Sequence, residues 1–317
     1  MYAESDHPGY RTTTEQVLSR TDIDVRGKTF LVTGATSGLG EETARSLAKH
    51  GAKVIFSARD LAAAEKVVAQ IKAETPTAEV VYYKLDLSSL ASVKAFAEEV
   101  KASGVQISAL ICNAGVMATP YNKTVDGFES QFGTNHVAHF LLTRLLIDNL
   151  INNAPSRVIV VSSIGHRRSS FTYYLSPVRF DDYNFEKGPY DSWEAYGQSK
   201  TANILFAYHL NKLYASKGVE AFSLHPGPVD TPLQRHMSKE ELAGFKDEEG
   251  NLASFFKTVP QGAATQVWAA TAPELTDKGG AYLVDVHVSE VLIEQARDPA
   301  AAERLWALTE ELVKSHL

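Results

Sequence analysis

Two stretches of the 317-residue chain combine residue types that can hold phosphate. The first is Thr33-Gly34-Ala35-Thr36-Ser37-Gly38-Leu39-Gly40. Its glycines let the backbone turn tightly and approach a pyrophosphate. A helix opening there offers free N–H groups and the positive end of its dipole. A plain strand-to-helix turn is the competing reading, and the position after the first apolar run favours the dinucleotide site. The second stretch is Ser57-Ala58-Arg59. A site for NAD places an acidic residue there to hold the ribose hydroxyls. Arg59 instead can grip a 2′-phosphate, with Ser37 and Ser57 as hydroxyl partners, so the charge logic predicts NADP(H). A surface arginine next to a helix start is the alternative.

Positioning these residues requires a particular set of elements. Short apolar runs occur at 29–33, 53–57, 79–83, 107–111, 157–161, 219–224 and 281–284. Most are apolar on both faces, as strands of a helix-covered parallel sheet are. Helical patterns lie near 40–50, 61–74, 89–102, 126–150, 193–216, 260–272 and 298–315. This alternation predicts an α/β class protein: a single-domain Rossmann fold, with a doubly wound parallel sheet of about seven strands and helices on both faces. Residues 1–26 have little periodicity and read as an arm, laid on the surface or partly disordered, ahead of a domain over 27–317.

The spacing TGxxxGxG differs from GxGxxG, and with it the chain resembles the short-chain dehydrogenase/reductase family. That family carries an active-site Tyr and Lys four residues apart, on one helix face. Three pairs have this spacing here: Tyr183/Lys187, Tyr196/Lys200 and Tyr208/Lys212. Tyr183 lies in an irregular stretch with Lys187 directly before Gly188-Pro189, and Tyr208 falls deep in a helix. Tyr196 sits near a helix start among the small Ala195, Gly197 and Ser199, so Tyr196 and Lys200 are the chosen pair.

The resemblance carries further residues with it. Ser163, second in the Ser162-Ser163 pair, corresponds to the substrate-orienting serine; two hydroxyls that merely end a strand are the alternative for Ser162. Asn135, in Gly133-Thr134-Asn135-His136, corresponds to the helix-borne asparagine that fixes a relay water. Asn113-Ala114-Gly115 resembles the turn beside the adenosine, and Asp86-Leu87 the contact to adenine. Pro226-Gly227-Pro228-Val229-Asp230-Thr231 resembles the loop that holds the nicotinamide amide and phosphates. The implied cofactor set is Gly34, Ser37, Gly38, Leu39, Gly40, Ser57, Arg59, Asp86, Leu87, Asn113, Ala114, Gly115, Tyr196, Lys200, Pro226, Gly227, Val229 and Thr231, and the catalytic set Asn135, Ser163, Tyr196 and Lys200. HPGPVDT and the segment over 279–315 point to the retinol-dehydrogenase-like and WW-domain-oxidoreductase-like branch. The implied activity is hydride transfer between NADP(H) and a carbonyl or alcohol, with Tyr196 as general acid/base and Lys200 and the oxidised nicotinamide lowering its pKa. A non-catalytic NADPH-binding sensor or scaffold on the same fold is the alternative.

Composition narrows the remaining classes. The chain is 44% hydrophobic and 22% charged, ordinary globular values. Its 31 basic and 38 acidic residues leave a net charge of -7, with no nucleic-acid footprint. Cys112 alone forms neither an internal disulfide nor a cysteine zinc site. His136, His139 and His166 lack accompanying carboxylates at ligand spacing, so no metal is expected. Gly-x-Ser-x-Gly is absent, which argues against a serine hydrolase. No signal-peptide pattern or long apolar run appears, so a cytoplasmic protein without a membrane span is expected.

Two intervals, 165–192 and 230–258, are too long for simple connections and emerge at the ligand edge of the sheet. The first holds Phe171, Tyr173, Tyr174, Leu175, Phe180, Tyr183, Phe185 and Tyr190, with Trp193 just beyond. The second holds Leu233, Met237, Leu242, Phe245, Leu252, Phe255 and Phe256. One reading pins these side chains to the domain. The other builds an apolar pocket with 230–258 as a lid, for a small-molecule substrate that is a medium-to-large lipophilic ketone, aldehyde or alcohol. Cations there are few apart from Arg167, Arg168, Arg179 and Arg235. The protein is expected to be a monomer or a homodimer.

Overall fold

Alternating side chains on the first strand already set the layers. In the computed structural model, which describes residues 7–167, 176–245 and 250–317, Phe30 and Val32 point into one core and Leu31 into the other. The elements run α1 (Thr14–Leu18), β1 (Thr29–Thr33), α2 (Gly38–Lys49), β2 (Lys53–Ala58), α3 (Leu61–Glu74), β3 (Glu79–Lys84), α4 (Leu90–Ala102), β4 (Ala109–Cys112) and α5 (Ser130–Phe132). They continue with α6 (Ala138–Asn152), β5 (Ser156–Val161), α7 (Ser192–Tyr214), β6 (Val219–His225), α8 (Lys239–Ala243), α9 (Val259–Thr271), β7 (Tyr282–Val284), β8 (His287–Ser289) and α10 (Pro299–Val313).

The sheet order is β3-β2-β1-β4-β5-β6-β7-β8. Every pairing is parallel except β7 with β8. One core lies under α4, α6, α7 and α10, and the other under α1, α2, α3 and α9. This is the expected doubly wound α/β fold with one strand more than the seven read from the sequence. The added β8 is three residues long and too polar to stand out; it returns through Asp285-Val286, both at positive φ, which makes a two-residue hairpin turn.

The arm also holds structure that the sequence did not announce. Thr13 and Gln16 form a capping box at the start of α1, and Thr14, Val17 and Leu18 are buried. The helix packs on α9 and α2. No described helix is long and apolar enough to cross a membrane.

Strand order reverses between β1 and β4, and at such a point a crevice opens at the carboxyl ends of the strands. The ends there are Thr33-Gly34 and Cys112-Asn113.

Candidate active site

The glycine loop leaves β1 at that crevice. Gly34 has φ +69°, and a β-carbon on it would lie 2.7 Å from Ala114 Cβ. A β-carbon on Gly40 would lie 2.3 Å from the Gly34 carbonyl oxygen and 2.5 Å from Asn113 Nδ2. Asn113 locks the turn: its Nδ2 donates to the carbonyls of Thr33 (2.8 Å) and Gly34 (3.2 Å). The Thr33 hydroxyl accepts from the N–H groups of Asn113 and Ala114 at 2.9 and 3.0 Å. Ser37 precedes α2 without a side-chain cap, so the first-turn N–H groups there are left for a ligand. These shapes make a cradle that fits a pyrophosphate.

Arg59 is exposed at the end of β2 and lines the same cleft as the glycine loop. The neighbouring acid, Asp60, serves as the N-cap of α3, its Oδ1 accepting from Ala62 and Ala63 N–H at 2.9 and 3.2 Å. Ser57 Oγ accepts from Gly34 N–H at 3.4 Å. Asp86 and Leu87 line the cleft after β3, where the Asp86 carboxylate accepts from the Ser88 N–H and hydroxyl at 2.9 and 2.7 Å.

Asn135 is presented by a π-helical turn over Gly133–Val137, between α5 and α6. Such bulges often accompany functional sites. Its side chain is fully buried. Oδ1 accepts from Val116 N–H (2.8 Å), and Nδ2 donates to Val116 O and Ser199 Oγ (2.9 Å each). It therefore lies behind the cleft surface, across from Gly115, where a β-carbon would lie 3.2 Å from Asn135 Oδ1 and 3.6 Å from Lys200 Nζ.

Tyr196 and Lys200 lie one turn apart on α7, and both line the cleft beside Ser163. The Ser163 hydroxyl lies beside Tyr196: a β-carbon on Gly165 would lie 2.7 Å from Tyr196 Cε1 and 3.3 Å from Ser163 Oγ. Lys200 Nζ donates to Val161 O at 3.0 Å and stands 5.5 Å from the Tyr196 ring centroid. Burial pushes the Tyr196 hydroxyl up to about 12, with Ser163 opposing, and pushes Lys200 down to about 8. Burial thus sets the Tyr196 hydroxyl in the protein alone, and the expected lowering calls on the oxidised nicotinamide as well as on Lys200. Lys200 is drawn to a carbonyl rather than to the phenol oxygen, and burial dominates. Ser162 acts on the backbone instead. Its hydroxyl donates to the Lys200 carbonyl at 2.7 Å, fixing α7 against β5.

The other two pairs lie elsewhere. Tyr183 packs on Phe132 with ring centroids 5.5 Å apart, and Lys187 donates to Asp181 O. Tyr208 is half-buried, and Lys212 faces Glu303 at 3.8 Å.

Beyond β6 the loop residues Pro226, Gly227, Val229 and Thr231 close the far side of a cleft of about 1170 Å3. Part of the cleft wall is apolar. Met117, Trp193, Leu233, Met237, Phe245 and Phe256 line it, and Tyr196 packs with Met117 and Met237. Trp193 Nε1 donates to Glu241 of α8 at 2.7 Å, so α8 is tied to the start of α7. The first long interval behaves differently. Phe171, Tyr173, Tyr174, Leu175 and Arg168 lie outside the described residues. Among residues 176–192 none lines the cleft. Phe185 is buried, and Tyr190 donates to Thr119 O at 3.0 Å, so these aromatics pin the chain to the domain.

Sequence reasoning missed Gly165, Met117 and His225 as cleft residues. A β-carbon on Gly165 would lie 2.7 Å from the Tyr196 ring. His225 Nδ1 accepts from Ile164 N–H at 3.2 Å, next to Ser163, and burial pushes this histidine down to about 3. Its place directly before Pro226 was the available signal.

Residues 28–174 match the family described as short chain dehydrogenase. Retinol dehydrogenase 12 of Mus musculus is 41% identical over 293 residues, covering 92% of this chain and 88% of that protein. Oxidoreductase calI of Penicillium decumbens is 40% identical over 316 residues, covering 95% and 89%. Among solved structures, a putative uncharacterized protein from Mycobacterium paratuberculosis has a TM-score of 0.71 at 34% identity, covering 96% of this chain and 98% of that one. A Tyr/Lys/Ser cluster at the mouth of a dinucleotide cradle, and relatives this similar over nearly the whole chain, place the protein in the short-chain dehydrogenase/reductase family, as a retinol-dehydrogenase-like oxidoreductase.

Proposed function

We propose that the protein is an NADP(H)-dependent reductase or dehydrogenase of lipophilic ketones, aldehydes and alcohols. The observation that carries this reading is the buried Tyr196 beside the half-buried Ser163, lining one cleft with the glycine loop and with the apolar wall of Met117, Trp193 and Met237. Arg59 at the cleft edge, with Asp60 occupied as a helix cap, supports the phosphorylated cofactor. The residues fit such a group: Gly34, Gly38, Leu39 and Gly40 would hold its pyrophosphate, and Arg59 its 2′-phosphate. Asp86 and Asn113-Ala114-Gly115 would border the adenosine, Lys200 the nicotinamide ribose, and the 226–231 loop the nicotinamide. When bound, the cofactor supplies or accepts hydride.

The chain's own residues do the rest. Ser163 orients the substrate oxygen and stabilises charge developing on it. Tyr196 is held protonated by burial, so in reduction it can give its proton to that oxygen. In oxidation it must first lose that proton. The Lys200 ammonium, one turn away, would then favour the charged phenolate. Asn135 anchors the segment after Gly115 and, on this reading, fixes the relay water beside Lys200. Leu233, Met237, Phe245 and Phe256 line the apolar part of the cleft, and the named relatives make a retinoid-sized alcohol or aldehyde one member of the substrate class.

Trp306 of α10 packs on Phe140 of α6 and Phe206 of α7. That covered helix face supports a monomer, which light scattering would test. A cytoplasmic location belongs to the same proposal and is tested by cell fractionation. The central test is kcat/KM with NADPH for carbonyl compounds of rising size and apolarity. Efficiency is expected to rise with apolar surface. Preference for small sugars, hydroxy acids or phosphorylated substrates would overturn the substrate class, and NADPH binding with no turnover would favour a sensor.

A further inference from the structure

Lys257 and Asp285 form an ion pair whose side chains are 1% and 2% exposed, and the proposed reaction makes no use of it. Taking both charges out of water is costly, and matched apolar side chains usually serve stability as well or better. The location of the pair suggests another role. The Lys257 side chain runs directly beneath the loop that follows β6. A β-carbon on Gly227 would lie 2.7 Å from Lys257 Cδ and Cε and 3.1 Å from Nζ. The Lys257 N–H donates to Pro228 O at 2.8 Å, and Val229 pairs with Lys257 in a short parallel bridge.

Asp285 comes from the β7–β8 turn, and the arm closes the assembly. The Tyr10 ring stands 4.5 Å from Lys257 Nζ, and its hydroxyl donates to Phe255 O. Gly9 approaches so closely that a β-carbon on it would lie 1.9 Å from Asp285 O. Four segments remote in sequence thus meet at one buried charge pair, immediately behind Gly227.

We propose that Lys257 and Asp285 are positioning residues, holding the 226–231 loop in the conformation that receives the cofactor, with Tyr10 as the closing wall. The proposal rests on the reading of the cleft as an NADP(H) site. It acts through the loop backbone, since Lys257 itself lies below the cleft floor.

The test compares the wild type with Lys257→Met, Asp285→Asn and the double variant. Lys257→Met alone leaves a buried carboxylate and lowers Tm. The double variant carries neither charge, and asparagine tolerates the positive φ at 285, so Tm recovers. A positioning role predicts that the double variant still binds NADPH about tenfold more weakly in a fluorescence titration, with kcat at saturating cofactor nearly unchanged. Amide exchange of the 226–231 peptide should also rise about tenfold without cofactor, while β6 is unaffected. Wild-type NADPH affinity together with wild-type exchange in the double variant would overturn the proposal. Should the double variant not fold, Asp285→Asn alone decides by the same two readouts. If the wild type bound neither NADPH nor NADH, the cofactor reading would fall, and amide exchange would still judge the clamp.

Discussion

The Thr33 hydroxyl lies 2.9 Å from Nε2 of His139, a contact that joins the end of β1 to the helix behind Asn135. His139 Nδ1 lies 3.0 Å from the Asn135 carbonyl, which can only accept, so the proton sits on Nδ1. Nε2 therefore accepts from the Thr33 hydroxyl, whose lone pairs face the N–H groups of Asn113 and Ala114. One neutral histidine thereby ties the phosphate cradle to the turn that presents Asn135. Thr33→Val is expected to cost about 1–3 kcal/mol, because it leaves buried polar groups without partners. Combined with His139→Phe, it should show a coupling of about 0.5–3 kcal/mol in urea unfolding. Simple additivity would mean the contact is not made.

Tyr196→Phe should abolish turnover, since it removes the proton donor, and should leave NADPH binding nearly intact. Tyr183→Phe and Tyr208→Phe should retain activity, because neither side chain lines the cleft. Steady-state NADPH oxidation by the three variants is the check, and an inactive Tyr208→Phe would contradict the assignment.

Arg59→Ala should weaken NADPH far more than NADH. A charge-assisted bond to a 2′-phosphate is worth about 1.5–3 kcal/mol, or roughly ten- to a hundredfold in affinity. Titration with both cofactors measures it, and equal losses for the two would make Arg59 a structural residue.

Acid should destabilise the fold through its buried histidines. Burial pushes His136 and His225 down to about 3, and His139 and His166 down to about 4, from an ordinary 6.5. The unfolded chain takes up these protons as pH falls through 6.5, while the folded protein stays neutral until near 4. This contribution is therefore complete above 6.5 and is lost progressively below it, at about 1.4 kcal/mol per unit for each group. The urea midpoint is expected to hold from about pH 8 to 7 and to fall from about pH 6.5 toward 4.5. A flat profile down to pH 4.5 would contradict the neutral buried state.

Local sequence determined much of this protein. Thr29–Thr33, buried at every position, is a strand because it is apolar on both faces. The helix over Leu61–Glu74 begins where Asp60 can cap it, and the turn at Gly34 follows from a φ that glycine adopts freely. These are short-range effects, carried by periodicity, capping and backbone sterics. Spacing alone left three Tyr/Lys pairs equal, and the small neighbours of Tyr196 singled out one of them; the tertiary structure put that pair, and neither of the others, at the cleft, because spacing places two side chains on one helix face without saying what that face meets. It likewise turned Tyr183, Phe185 and Tyr190 toward the domain and left Trp193 and Met237 at the cleft. It brought Lys257 against Asp285 under Gly227, with Tyr10 over Lys257 and Gly9 against Asp285. Such contacts join residues far apart along the chain, where neither periodicity nor motif spacing carries information, and they exist only once the sheet has ordered its strands.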